Sequence, residues 1–161
     1  MIERQPIPLD LSPTAEPGGV AVLGLGGWGS RAVGRLAAQG PASPLYVAVD
    51  SDAAALRRCP APLKIQAGPK IAGGLGCGRP ELGRLAFEDT WPELARLLAP
   101  AKIVFIVAGL GGGFGGGAAP AAAEALAGRP GPPTTIAAAT LPPGRERRRR
   151  LAAERALAEL I

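Results

Sequence analysis

The chain has 161 residues, a length that suits one folded domain with a sizeable hydrophobic core. Its net charge of +5 comes largely from Arg145 and Arg147 to Arg150, and the absence of His together with only two cysteines, Cys59 and Cys77, excludes a zinc site and a His-based catalytic triad. No apolar run reaches 18 residues and the N-terminus has no apolar signal core, so we expect a cytoplasmic protein that does not enter a membrane.

The first 19 residues contain four prolines and end in Gly18-Gly19. Proline removes the backbone N–H that a helix or a strand ladder needs, so this composition sustains neither element. We therefore predict a flexible N-terminal arm over residues 1–19 and one domain over residues 20–161. The two cysteines are expected to be buried or loop thiols.

A strand, a glycine loop and a helix follow the arm in order. Val20 to Leu23 is apolar, residues 24–29 read GLGGWG, and Ser30 to Gln39 has the pattern of an amphipathic helix. Read literally, the loop is the G-x-G-x-x-G fingerprint of dinucleotide binding. Asp50 follows directly after the next predicted strand, Leu45 to Val49, at the position where a Rossmann domain has an acid that binds the ribose. An NAD(P)-binding Rossmann oxidoreductase is therefore one interpretation, although this fingerprint alone is a weak signal.

The middle of the chain is predicted to be mostly helical. Asp52 to Arg58 forms a short helix, and residues 73–78 are a second glycine-rich loop. Residues 79–98 have apolar positions at helical spacing, and Pro92 is expected to separate them into two helices. Trp91 is interpreted as a core residue, because most such aromatic side chains contribute to packing.

The stretch over residues 103–120, IVFIVAGLGGGFGGGAAP, is the most informative part of the sequence. Ile103 to Val107 is a strand buried on both faces, and Gly109 to Gly117 is a loop that leaves backbone N–H groups unobstructed. A helix is predicted from Ala118 to Ala127, with Pro120 near its first turn. A glycine loop that ends at a helix N-terminus is the architecture of a phosphate-binding site.

The last third of the chain adds a strand and a helix. Residues 129–133 form a turn, Thr134 to Ala139 a buried strand, and Arg145 to Leu160 the final helix. The arginines near the start of this helix can be a solvated surface. No aromatic residues are interleaved with them, so we do not expect nucleic acid as a partner.

Four segments together resemble the tubulin/FtsZ superfamily. GLGGGFGGGAAP (residues 109–120) is similar to its signature GMGGGTGTGAAP, and VLGLGGWGSRAV (22–33), YVAVDSDAAALRRCPAPLKIQAG (46–68) and TLPPGRERRRR (140–150) are similar to FtsZ segments in the same order. The chain departs at four positions. Trp28 replaces a glycine, Arg31 replaces an asparagine that helps hold the nucleotide, and Phe114 and Gly116 replace threonines that face the phosphates.

The resemblance covers residues 20–161 and implies a fold. We expect an α/β domain with a doubly wound, mostly parallel sheet of roughly five strands in a three-layer, Rossmann-like arrangement. The glycine loops then lie together at the carboxyl ends of the strands. The family's long central helix, its catalytic acidic loop and its second domain have no counterpart in these 161 residues, so the resemblance implies a truncated and degenerate FtsZ-like GTPase domain.

The resemblance also implies a site for GTP or GDP. The first glycine segment would cradle the α- and β-phosphates, a glycine of the second loop would lie beside the γ-phosphate, and the third loop would donate its N–H groups. Asp50 and Asp52 would reach Mg²⁺ or its waters, and Glu146 and Arg150, one helical turn apart, would meet the ribose. The residues predicted to bind nucleotide are Gly26, Gly27, Trp28, Gly29, Ser30, Arg31, Asp50, Asp52, Gly76, Gly109, Gly111, Gly112, Gly113, Phe114, Gly115, Gly116, Gly117, Glu146 and Arg150.

The function implied is binding of a guanine nucleotide in cell division or a bacterial cytoskeleton. No catalytic residue is assigned, and autonomous GTP hydrolysis is not expected, because the water-activating loop is missing. Partners implied by the resemblance are full-length FtsZ or a second copy of the chain, joined head to tail or as a dimer. Two alternatives stay open: the NAD(P)-binding oxidoreductase domain, and an FtsZ-interacting capping protein that has lost the ligand.

Overall fold

The computed structural model describes residues 19–161, so the predicted N-terminal arm lies, apart from Gly19, outside the described residues. Five strands are present in this part of the chain: β1 Val20–Leu25, β2 Leu45–Asp50, β3 Leu63–Gln66, β4 Ile103–Gly109 and β5 Thr134–Thr140. The helices are α1 Gly26–Gln39, α2 Ala53–Arg58, α3 Pro69–Ala72, α4 Pro80–Leu97, α5 Gly113–Ala127 and α6 Arg147–Leu160.

The strands form one parallel sheet in the order β3-β2-β1-β4-β5. From β1 the chain winds outward through β2 to β3, then crosses back to β4 on the other side of β1 and continues to β5. The strand order therefore reverses between β1 and β4, which is the position where doubly wound sheets bind ligands. The predicted doubly wound α/β fold is confirmed.

Helices cover both faces of the central strands, as a three-layer fold requires. The prediction that β5 is a buried strand was wrong, because this strand lies at the edge of the sheet and its residues are exposed or half-buried. Alternate residues of β4 point to opposite faces: Val104, Ile106 and Ala108 belong to the larger core beside α4, α5 and α6. Val107 and Phe105 belong to a smaller core beside α1 and α2. Both cysteines are free and buried, as predicted.

Two helices begin earlier than the sequence predicts, and this changes the role of the glycines. Helix α1 starts at Gly26 instead of Ser30, and α5 starts at Gly113 instead of Ala118. Glycine is a poor helix former by about 1 kcal/mol relative to Ala, but close packing of these glycines against neighbouring backbone compensates. Consequently much of the predicted glycine loop is the first turns of α5, and Pro120 lies in the interior of that helix.

Helix α4 is continuous, so the prediction that Pro92 separates two helices was wrong. A proline inside a helix costs about 3 kcal/mol because it removes one hydrogen bond and crowds the preceding turn. Here Phe87, Leu94 and Leu98 on either side of Pro92 are fully buried, and their packing holds both halves of the helix on the sheet. Trp91 packs against Phe87 with ring centroids 5.8 Å apart, which confirms its interpretation as a core residue.

Candidate functional site

A cleft of about 700 Å³ opens at the carboxyl ends of the strands. It lies at the reversal point between β1 and β4, because the helices that follow these two strands, α1 and α5, both begin in its wall. The segments after β2, before α4 and after β5 complete the wall, and Arg149 reaches it from α6. The fold therefore brings the three glycine-rich segments of the sequence into one cavity.

The N-terminus of α1 is built from glycine for steric reasons. Gly26 has φ of 75°, a conformation that side-chain-bearing residues rarely adopt, and a Cβ there would come within 2.9 Å of the Gly115 nitrogen. Its backbone can therefore lie directly against the first turn of α5. Only glycine allows the two helix starts to approach this closely.

Neither α1 nor α5 has a side-chain cap within the described residues. The N-cap residues are Leu25 and Gly112, neither of which provides a capping hydrogen bond, and neither first turn contains an acidic residue. The first N–H groups of a helix have no partner inside the helix, and they lie at the positive end of its dipole. Two such helix ends directed into one cleft form a site suited to an anion with several oxygens.

Most of the predicted site residues line this cleft. They come from α1, from the end of β2 and the residues after it, from the loop before α4, and from the segment between β4 and α5. The predicted residues in the wall are Gly26, Gly27, Trp28, Arg31, Asp50, Asp52, Gly76, Gly109, Gly111, Gly112, Gly113, Phe114 and Gly115.

Four predicted residues are packed into the protein beside the cleft and do not line it. A Cβ at Gly29 would collide with the carbonyl oxygen of Val107, and one at Gly117 with that of Pro80. A Cβ at Gly116 would lie 2.6 Å from the Leu110 oxygen. Ser30 is 4% exposed, and its hydroxyl donates to the Val49 carbonyl at 3.5 Å. These positions hold the helices close to the sheet and to each other.

Glu146 and Arg150 do not form the pair that the sequence predicts, and neither lines the cleft. Glu146 pairs with Arg149, while Arg150 Nε donates to Glu154 at 2.7 Å and its Nη1 to the Pro142 carbonyl at 3.3 Å. Helix α6 begins at Arg147, and in this register Arg149 is the arginine directed to the cleft. Its Nε donates to the Gly111 carbonyl at 3.0 Å. The sequence did not predict Arg149, because Arg147 to Arg150 are four identical residues and only the starting point of α6 decides which of them faces the cleft.

Phe114 and Trp28, two bulky residues that depart from the family pattern, differ in how far they are exposed. Phe114 is 4% exposed and belongs to the larger core, so little of its surface borders the cleft. Trp28 is 41% exposed and lies beside Gly109 at the side of the cleft. Phe114 is therefore mainly a packing residue, whereas the Trp28 ring is accessible to a ligand.

The two acids after β2 have separate structural roles. Asp52 is the N-cap of α2, where its Oδ1 accepts from the N–H groups of Ala54 and Ala55 at 2.9 and 3.0 Å. Asp50 is 4% exposed, and burial raises the pKa of its carboxyl above the ordinary value. Hydrogen bonds from the Asp52 and Ser51 backbone and the charge of Arg31 oppose this rise in pKa, and the charge of Asp52 adds to it.

Asp50→Asn should stabilise the ligand-free protein at neutral pH. A carboxyl whose pKa is raised by folding binds its proton more tightly when folded, so stability is lost as pH rises through the folded pKa. The amide carries no charge to desolvate. The free energy of unfolding in urea, measured from pH 7.5 down to pH 4, should show the largest advantage of the variant at neutral pH and a shrinking one toward acid.

Asp89→Asn is the matched control, because Asp89 is an exposed acid on α4 that does not line the cleft. It should leave stability nearly unchanged across the same pH range, as surface substitutions usually do. A variant Asp50→Asn that is less stable than the parent at pH 7.5 would contradict the cost assigned to the buried charge.

Positive charge outweighs negative charge around the cleft. The guanidinium groups of Arg31, Arg58 and Arg149 line it, against the carboxylates of Asp50 and Asp52. A Cβ on Gly27 would lie 3.5 Å from Arg31 Nη1, so this arginine covers the first turn of α1. Arg58 was not among the predicted residues, and the only sequence signal for it was its place at the end of α2.

Within residues 19–161, no group of three or more His, Cys, Asp and Glu side chains is arranged to hold a metal ion by itself. Asp50 and Asp52 are the acidic residues that line the cleft. In the same part of the chain, no helix has the length and apolar character required to cross a bilayer.

Comparison with known proteins places this architecture in a family. The model of the Tubulin/FtsZ family, GTPase domain, matches residues 19–161, which is most of the chain. Two solved structures of FtsZ from M. jannaschii, a single-residue mutant and an empty dimer, each have 36% sequence identity and a TM-score of 0.82. Each match covers 88% of this chain and 42% or 41% of the FtsZ chain.

A third similar structure is CetZ2 from Haloferax volcanii, solved as a GTPgS-bound protofilament, with 30% identity and a TM-score of 0.75. The match covers 88% of this chain and 45% of CetZ2. The chain thus spans less than half the length of these relatives.

Proposed function

The chain is a member of the Tubulin/FtsZ family, and we propose that it binds a guanine nucleotide, GTP or GDP, in the cleft between α1 and α5. The observation that carries the proposal is the convergence of two helix N-termini without side-chain caps, built from glycine, on one positively charged cavity. Backbone N–H groups and arginines are the donors that proteins commonly use for phosphate oxygens.

In this proposal each wall of the cleft has one task. The first turns of α1 and α5, at Gly27 and Gly113, donate to the phosphates, and Gly112 leaves room for them to approach. Arg149 holds the Gly111 carbonyl and thereby the shape of the loop before α5. Asp50 and Asp52 line the same cleft, where they would bind the waters of a Mg²⁺ ion that accompanies the phosphates.

We assign binding and not autonomous hydrolysis to these 161 residues. Activation of a water molecule needs a group that is free to orient it and to take its proton. Asp50 and Asp52 each use Oδ1 to accept hydrogen bonds from backbone N–H groups at the β2–α2 corner, and in this proposal their carboxylates are committed to the waters of the Mg²⁺ ion. No other Asp or Glu lines the cleft among the described residues.

The cellular role follows the family by analogy. We propose a cytoplasmic protein of cell division or a bacterial cytoskeleton, because one relative was solved as a protofilament and another as a dimer. Its partner in this proposal is full-length FtsZ or another copy of the chain.

Equilibrium titration with a fluorescently labelled GDP tests the proposal. We expect saturable binding that unlabelled GDP displaces and NAD does not. Displacement by NAD alone would favour the dinucleotide-binding alternative. A folded protein that binds neither ligand would contradict the nucleotide site and leave only an interaction role.

A further inference from the structure

We propose that a second copy of this chain docks on the groove between α4 and α6, so that two chains form a symmetric dimer through a surface separate from the nucleotide cleft. The groove has a volume of about 410 Å³, and it shares no lining residue with the cleft. The inference goes beyond the proposed function, because it concerns a different face of the domain and does not depend on a bound ligand.

The groove is open because the residues along its floor are small. Helix α5 packs against both α4 and α6, and Gly116 and Gly117 near its start have no side chain to fill the space above them. Ala152 and Ala156 of α6 also line the groove. Leu85 of α4 lies in its wall and is 50% exposed, so an apolar side chain stands beside a space that can receive one.

The charged residues of the groove indicate which partner fits it. Helix α4 contributes Glu81 followed by Arg84, whereas α6 has the opposite order, Arg155 followed by Glu159. Both helices follow parallel strands and begin at the carboxyl ends of those strands, so they run in the same direction. The acid on one helix therefore lies beside the base on the other along the whole groove.

One of these two pairs is already formed within the chain. Arg84 Nη2 lies 3.4 Å from Glu159 Oε2, so this ion pair bridges the groove. Glu81 and Arg155 precede these two residues by about one turn, roughly 4.5 and 6 Å along the axes at the rise of an α-helix, and thus lie at a similar level. Both are exposed, and within residues 19–161 neither forms an ion pair.

A two-fold axis along the groove would pair these remaining charges between two copies. Such an axis places α4 of one copy over α6 of the other at the same level, so Glu81 of each copy meets Arg155 of the other. Leu85 of each copy then enters the other groove, where Ala152 and Ala156 leave room for it. A two-fold interface needs a surface that is complementary to itself, and this pattern of charge and shape meets that requirement.

Sedimentation velocity over a series of protein concentrations tests the dimer. We expect a monomer–dimer equilibrium of the parent chain, with and without GDP. Glu81→Arg and Arg155→Glu each bring like charges together at both symmetric positions, so either should weaken the dimer roughly 100-fold or more. A parent chain that stays monomeric throughout, or a dimer that withstands both substitutions, would overturn the inference.

Mixing the Glu81→Arg protein with the Arg155→Glu protein identifies the contact itself. In a mixed pair, opposite charges face each other again at both positions, so the equimolar mixture should dimerise although each variant alone is monomeric. Damage to the fold cannot produce this recovery. Neither residue forms an ion pair within the described part of the chain, so both variants are expected to fold. A mixture that stays monomeric would mean that Glu81 and Arg155 do not meet across an interface.

Leu85→Ala tests the apolar part of the interface. It should weaken the dimer roughly tenfold, because two leucines lose their burial. Leu36→Ala is the matched control, since Leu36 is 47% exposed on α1, which packs beside the smaller core on the opposite face of the sheet. It should leave the dimer unchanged, and equal effects of the two substitutions would contradict the proposed surface. Labelled GDP should bind all these variants as it binds the parent, so failure of the dimer and failure of the nucleotide site are separate results.

Discussion

Gly117→Ala should lower the free energy of unfolding by about 3 kcal/mol or more, although it adds only one methyl group. A Cβ at this position would collide with the Pro80 carbonyl oxygen and lie 2.6 Å from the Arg84 nitrogen, so the obstacle is the backbone of α4. Backbone inside a helix cannot rotate away as a side chain can. Relief requires α4 and α5 to separate, which loses the packing of the larger core between them.

Urea denaturation of the parent and the variant measures this effect, and a loss of this size is a large part of the stability of an ordinary domain. Gly128→Ala, at the other end of α5, is the matched control. Gly128 has φ of −75°, and a Cβ there would lie 3.5 Å from its nearest neighbour, so the change should be neutral or slightly stabilising. Equal stability of the two variants would show that α4 and α5 are not in backbone contact at Gly117.

The glycine-rich motif could be recognised in the sequence, but the sequence could not show which of its glycines border the cleft and which pack against another helix. Gly112 and Gly117 belong to the same glycine-rich motif, yet Gly112 borders the cleft, whereas Gly117 lies where α5 packs against the backbone of α4. Either role requires the same residue for the same reason, which is the absence of a Cβ. The distinction depends on what lies opposite, and α4 comes from a distant part of the chain.

The strands and the overall topology could be predicted because their signals are local. Buried β-branched runs separated by glycine segments and helical periods indicate a parallel α/β sheet without knowledge of long-range contacts. The start of α5 was missed because glycine has a low helix propensity, and only packing against α4 makes Gly113 helical. Pro92 was misjudged for a similar reason, since burial on both sides outweighs its local cost.

The outer edge of the site was the least predictable part. One residue of register decides whether Arg149 or Arg150 reaches the cleft, and that register depends on where α6 begins. Helix boundaries are the weakest element of any reading of sequence alone. Asp50 and Asp52, both predicted site residues, line the cleft, but the capping role of Asp52 follows only from the position of α2.

Gly112→Val should weaken nucleotide binding by roughly 50-fold while the fold survives. Gly112 lines the cleft as the N-cap of α5, with φ of −97° and ψ of 162°, an extended conformation that valine adopts readily. A Cβ there would lie 3.7 Å from its nearest protein neighbour, the Gly109 oxygen, so the protein itself has room for it. The two added methyl groups then occupy space that a phosphate needs. One or two charge-assisted hydrogen bonds would be lost, about 2 to 3 kcal/mol in all.

Titration of labelled GDP against folded Gly112→Val, with urea denaturation in parallel, separates binding from stability. Gly128→Val provides the control, because it adds the same side chain at the opposite end of the same helix, away from the cleft. It should bind GDP as the parent does. Gly113 is unsuitable for this purpose, since a Cβ there would lie 2.7 Å from the backbone of Gly78 and would displace the neighbouring loop. Unchanged GDP affinity in a stable Gly112→Val protein would mean that the phosphates do not lie against the N-terminus of α5, and the proposed site would have to be abandoned.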